Sequence, residues 1–181
     1  MLFRSATPLP LVLDLHGYQE GADVHSTMSG LGPFGDTHGF VTVTPNGTAT
    51  PVPRWDVAVD SADMRFLGDV LDEAERTMCI DTHRVFVTGL SNGAFMTSAV
   101  ACAFPDRIAA AAPVAGARAD IPNCVKGRAV PVVSFHGTAD GFVDYNGGIG
   151  EAAKNLPSPD GKGKIEIGRA TRLNSRHLVI S

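Results

Sequence analysis

Ser91 stands in the run Gly89-Leu90-Ser91-Asn92-Gly93, surrounded by the residue types that a serine needs to become a nucleophile. Before it, Arg84 to Thr88 (RVFVT) reads as a buried strand; after it, the chain to about Phe104 reads as a helix of small and apolar residues stopped by Pro105. A serine placed between such a strand and such a helix sits on a sharp turn with its Oγ exposed at the strand end. Gly89 and Gly93 let the chain turn there without Cβ clashes. The helix N-terminus then lies beneath the hydroxyl, and the backbone N–H of Asn92 is a donor that can stabilise an oxyanion with the help of the helix dipole. The chemistry predicted is acyl transfer through a serine ester, against the alternative of a serine in an ordinary strand-to-helix turn.

Such a nucleophile needs three supports. A second oxyanion donor is expected from the loop after the first strand, His16-Gly17-Tyr18, where the N–H of Tyr18 is the candidate. A carboxylate must orient the histidine that takes the serine proton, and Asp140 in His136-Gly137-Thr138-Ala139-Asp140 is the candidate, with Asp144 in reserve. Asp14 and Asp106 read as structural polar groups. The third support, the histidine itself, should follow the acid in the chain, and the only histidine after Asp140 is His177. His25, His38 and His83 fall in predicted surface segments, and His16 and His136 belong to strand-end turns.

Short apolar runs alternating with helical stretches predict a parallel sheet covered by helices on both faces. Five strands are proposed: Pro10 to Leu15, Phe40 to Thr44, Arg84 to Thr88, Ile108 to Val114 and Val130 to Phe135, each running into turn residues. Between the second and third, Asp60 or Ser61 can cap a helix whose apolar face is Phe66, Leu67, Val70, Leu71 and Ala74. The stretches 47–53 and 147–164, punctuated by proline and glycine, read as surface loops. Trp55, after the second strand, is expected to line the acyl or polymer cleft, the alternative being a partly buried packing residue.

The 181 residues are one domain's worth, and 44% hydrophobic with 19% charged residues excludes a disordered or fibrous chain. A net charge of -4, with no basic stripe interleaved with aromatics, argues against a nucleic-acid partner. No apolar run approaches the length of a membrane span, and Met1 to Ser5 lacks the sections of a signal peptide. Cys79, Cys102 and Cys124 match no metal-ligand spacing and leave one disulfide plus a free thiol open.

The runs LVLDLHGY and GFVTVTPNG, the lone Trp55, the block from Cys79 to Gly116 and VPVVSFHGTADGFVDYNGG resemble the polyhydroxybutyrate depolymerase and feruloyl esterase group of α/β-hydrolases, related to carbohydrate esterase family 1. The resemblance covers about residues 8 to 148. It implies a three-layer α/β-hydrolase fold with a mostly parallel central sheet, truncated at both ends, and a secreted serine esterase without metal or organic cofactor. The substrate it implies is a polyester or a feruloylated polysaccharide. By the same resemblance Ser91 matches the nucleophile and Asp140 the triad acid, and Cys102 could pair with Cys124.

The C-terminus departs from the group's pattern. The glycine-rich loop that carries the triad histidine has no counterpart here, and His177 lacks that loop's signature. Leu2 to Ser5 and Glu166 to Ser175 resemble translated sequencing-library adaptors. A partial catalytic domain over residues 6–165 is therefore expected, with non-native segments at 1–5 and 166–181 and with the last strand and the histidine lost; a divergent authentic C-terminus is the alternative. Besides ester hydrolysis, two functions remain to be weighed: a serine peptidase of the same fold, and a non-catalytic binding module or inactive fragment on a hydrolase scaffold.

Overall fold

The protein is described by a computed structural model that covers residues 7–48, 51–156 and the backbone of 178–180. Its elements in chain order are β1 (Leu9–Leu15), α1 (Ala22–Ser29), α2 (Leu31–His38), β2 (Val41–Val43), α3 (Ala62–Thr77) and β3 (Ile80–Leu90). They continue with α4 (Asn92–Ala103), β4 (Ala110–Val114), β5 (Val133–Phe135), a 3-10 turn (Ala153–Asn155) and β6 (Leu178–Ile180). The six strands form one sheet in the order β2-β1-β3-β4-β5-β6, and every neighbouring pair is parallel.

All five expected strands are present, with shifted ends. β3 reaches back to Ile80 because its backbone pairs with Leu9 of β1, although Asp81, Thr82 and His83 carry no apolar signal. β5 begins only at Val133, since Pro131 has no N–H to offer a ladder. β6 pairs with β5 through Leu178, Val179 and Ile180, so a strand stands at the sheet edge in a segment expected to contribute none.

The core follows from the side-chain period. Leu11, Leu13 and Leu15 of β1 and Val85 and Val87 of β3 are buried at alternate positions and pack with Met64, Leu67, Leu71 and Ala74 of α3. Ser61, not Asp60, caps α3, its Oγ accepting the Met64 N–H at 3.0 Å. α4 is buried almost all round and lies against β1, β3 and β4. Its glycine and alanines allow that close approach. Helices α1 and α2 carry no clear sequence signal, because their apolar periodicity is weak and Gly32, Pro33 and Gly35 depress helix propensity; each ends at a left-handed glycine, Gly30 and Gly39.

A disulfide joins Cys102 of α4 to Cys124, the pairing that the resemblance suggested, and Cys79 is free and exposed. Among the described residues no helix is long and apolar enough to cross a membrane.

Candidate active site

The chain runs from β1 to β2 on one side of the sheet and reaches β3 on the other, so the strand order reverses between β1 and β3. In open parallel sheets the crevice outside the carboxyl ends at such a reversal is where ligands bind. Ser91 follows β3 there, and His16-Gly17-Tyr18 follows β1.

Ser91 has φ 55° and ψ −112°, a conformation that costs a residue with a Cβ of the order of 1–3 kcal/mol and persists only where its surroundings enforce it. Here they do. The Ser91 N–H donates to Val114 O at 2.9 Å, its carbonyl accepts from Ala94 and Phe95, and the neighbouring glycines are pressed against backbone. A Cβ on Gly89 would come within 2.6 Å of Gly93 O, and one on Gly93 would run into the carbonyls of Leu15 and His16. The elbow and the end of β1 are therefore in contact through backbone. Although Ser91 occupies the N-cap position of α4, its Oγ makes no capping bond. Asn92, the first residue of α4, has no carbonyl one helical turn back to occupy its N–H.

The loop after β1 is held just as firmly. The Gly47 N–H donates to His16 Nε2 at 3.0 Å, so the proton sits on Nδ1, which donates to Gly17 O at 2.8 Å. Burial holds this imidazole below its ordinary pKa, although the bond to Gly17 O and nearby carboxylates oppose that shift. The Glu20 N–H also points to Gly17 O, at 3.4 Å. In a trans peptide the carbonyl and the next N–H point in opposite directions, so fixing Gly17 O toward His16 turns the Tyr18 N–H away from that ring.

Trp55 joins the two sides. Its indole N–H donates to His16 O at 3.0 Å, its ring lies 4.8 Å from the His16 ring, and its backbone N–H and carbonyl both pair with the Asn92 side-chain amide. Only 3% of Trp55 is exposed, which corrects the expectation that it lines a cleft. It is buried as a packing residue, with its indole N–H satisfied by the His16 carbonyl. Replacing Trp55 with alanine should cost about 3–5 kcal/mol of stability in urea unfolding. A loss of stability no larger than that of a surface substitution, within about 0.5 kcal/mol, would restore the cleft role.

Sequence reasoning missed Asp63, which is buried and accepts the N–H and hydroxyl of Thr48 and the N–H of Asp56, pinning the loop that carries Trp55. It also misplaced His25, expected at the surface. That ring is 3% exposed and bonds Asp14 Oδ1 at 2.9 Å, because a carboxylate inside an apolar strand must find a partner. Asp14 is the structural group expected of it. His38 and His83 are exposed as expected.

Asp140 sits beyond β5. From Ser91 the ladder runs to Val114 of β4, and Ala115 N–H donates to Phe135 O of β5, so the Asp140 loop follows the strand two places from the one that carries the elbow. Its Oδ1 accepts the N–H groups of Phe142 and Val143 at 2.8 and 3.1 Å, while Oδ2 lies 3.4 Å from His136 Nε2. That nitrogen is 2.8 Å from Val143 O, so His136 donates it to the loop. Asp144, the reserve acid, is exposed and accepts only a local bond from Asn146. Among the described residues no histidine hydrogen bonds Ser91, and His177 lies outside them. No group of side chains suited to a metal ion occurs among the described residues.

Known proteins resemble this chain in sequence and in fold. Feruloyl esterase B of Piromyces equi is 29% identical over 163 residues, 86% of this chain and 30% of that protein. Poly(3-hydroxyalkanoate) depolymerase C of Paucimonas lemoignei is 36% identical over 115 residues, 59% of this chain and 28% of that protein. The acetyl xylan esterase of Aspergillus awamori superposes with a TM-score of 0.63 at 18% identity, over 75% of this chain and 64% of that one. This chain is a relative of the feruloyl esterase, acetylxylan esterase and polyhydroxyalkanoate depolymerase group, with the α/β-hydrolase fold. It spans less than a third of the length of these two curated relatives. A scan against protein-family models finds no match.

Proposed function

We propose that the protein belongs to a secreted serine carboxylic-ester hydrolase acting on a polyester or a feruloylated polysaccharide through an acyl-enzyme at Ser91. Ser91 Oγ attacks the ester carbonyl carbon while a histidine takes its proton, and the N–H groups of Tyr18 and Asn92 hold the oxyanion. Collapse of the intermediate breaks the bond to the alcohol oxygen, which leaves with that proton. Water then attacks the acyl-serine, freeing the acid and returning the hydrogen to Oγ. Asp140 orients the histidine, and no cofactor takes part.

The observation that carries this reading is the enforced positive φ of Ser91, whose hydroxyl is kept out of the helix cap at the reversal of strand order. A serine with only a structural task would cap the helix. The Cys102–Cys124 disulfide supports an oxidising compartment. The base comes from outside the described histidines, because His16, His25 and His136 are each committed to other partners. The absence of a hydrogen-bond partner for Ser91 Oγ among the described residues favours a second reading, a non-catalytic ester-binding module.

Treating the 181-residue chain with a fluorophosphonate separates the two. Stoichiometric phosphonylation mapped to Ser91 is expected of an assembled nucleophile. A chimera that joins this chain to the C-terminal, histidine-bearing segment of a relative, binds the ester and stays unlabelled would select the binding module.

A further inference from the structure

Behind the β1 loop lies a buried charge cluster to which the reaction assigns no part. His25 of α1 bonds Asp14 Oδ1 of β1 at 2.9 Å with Nε2, and its Nδ1 lies 3.4 Å from Glu20 Oε2, an ion-pair contact outside hydrogen-bond alignment. The Ser29 hydroxyl donates to the other Asp14 oxygen at 2.6 Å. Glu20 Oε2 in turn accepts the Gly17 N–H at 2.9 Å, and a Cβ on Gly17 would meet that oxygen at 3.0 Å. The turn is closed from outside by the Gln19 N–H to Pro53 O at 2.8 Å, with Gln19 at φ 63°.

An imidazole between two carboxylates satisfies both only as the imidazolium, when both nitrogens donate. We infer that His25 is a positioning residue for the oxyanion loop: its imidazolium bridges Asp14 and Glu20, and Glu20 holds the Gly17 N–H so that the Gly17–Tyr18 peptide keeps one orientation. The inference rests on the reading of Tyr18 as an oxyanion donor. His16 Nδ1 holds the carbonyl of that peptide and Glu20 the N–H one residue earlier, so the loop is fixed at two successive groups.

The groups facing His25 are Asp14 from β1, Glu20 from the loop, and the His16 ring at the end of β1, which feels the His25 charge. Burial alone would lower the His25 pKa, but the bond and charge of Asp14 and the charge of Glu20 outweigh it and raise it. The clamp is therefore complete below the ordinary histidine pKa and is lost as pH rises through the raised one.

Amide hydrogen exchange of the 181-residue chain against pH, corrected for intrinsic exchange, tests this together with the rate of Ser91 phosphonylation in the chimera. Protection at Gly17 should fall about tenfold or more as His25 deprotonates, and the phosphonylation rate with it. In Glu20→Gln, which keeps an acceptor for Gly17 but no charge, the pH step should vanish from both readouts. In His25→Gln protection should be low at every pH. A pH step that persists in Glu20→Gln, or equal protection in all three proteins, overturns the inference. If the chimera takes no label, the nucleophile assignment fails, while amide protection in the 181-residue chain still decides the clamp.

Discussion

Replacing Ser91 with alanine should lower p-nitrophenyl acetate hydrolysis by about a millionfold in a chimera that joins this chain to the C-terminal, histidine-bearing segment of a relative. Fluorophosphonate labelling should disappear altogether. The size follows from the role: without Oγ no acyl-enzyme can form, and only the residual rate from oxyanion binding and positioning remains. Stability should change little, because Oγ caps nothing and the backbone bonds that hold the elbow are independent of the side chain. Alanine at φ 55° carries the same strain that serine carries. A chimera that keeps even a hundredth of its rate after this substitution places the nucleophile elsewhere.

The second large effect is expected at Asp140. Changing it to asparagine preserves an Oδ1 to accept the Phe142 and Val143 N–H groups, so the loop should survive with its shape intact. What is lost is the charge on Oδ2, which in the proposed mechanism fixes the tautomer of the catalytic histidine and stabilises its protonated form. In the chimera, kcat should fall about ten-thousandfold with KM nearly constant. The matching substitution at Asp144, which bonds only Asn146, should leave kcat within a factor of about two. Equal losses at both positions would mean that the loop, and not the carboxylate, matters.

The sequence discloses those parts of the site that need special residue types at short spacing. Gly89 and Gly93 are legible because any Cβ would strike backbone at both positions. The strands of the sheet are legible because apolar runs end in turn residues. What stays hidden depends on long-range pairing. Asn92 looks like an arbitrary neighbour of the serine, yet its amide clasps the Trp55 backbone 37 residues away. Trp55 itself has the composition of a cleft residue, and only the nearness of His16 O draws its indole inward. The one available signal for His25 was Asp14, a charge in the middle of an apolar strand, which must have a buried partner from somewhere else in the chain. The weak periodicity of α1 concealed which residue that was. Backbone pairing also extends β3 beyond its apolar signal, through Asp81 to His83, while the apolar run Leu178 to Ile180 is passed over because its segment reads as non-native.

The central claim is that an ester's acyl group passes through the Ser91 oxygen, and acid-quenched turnover tests it most directly. The chimera is mixed with excess p-nitrophenyl acetate, quenched during the first turnover, digested and mapped by mass spectrometry. The account predicts one acetyl group, on the peptide containing Ser91, that disappears on further incubation as water completes the reaction. Acetate released with no acetylated peptide, or acetyl carried on another residue while Ser91 stays free, would contradict it.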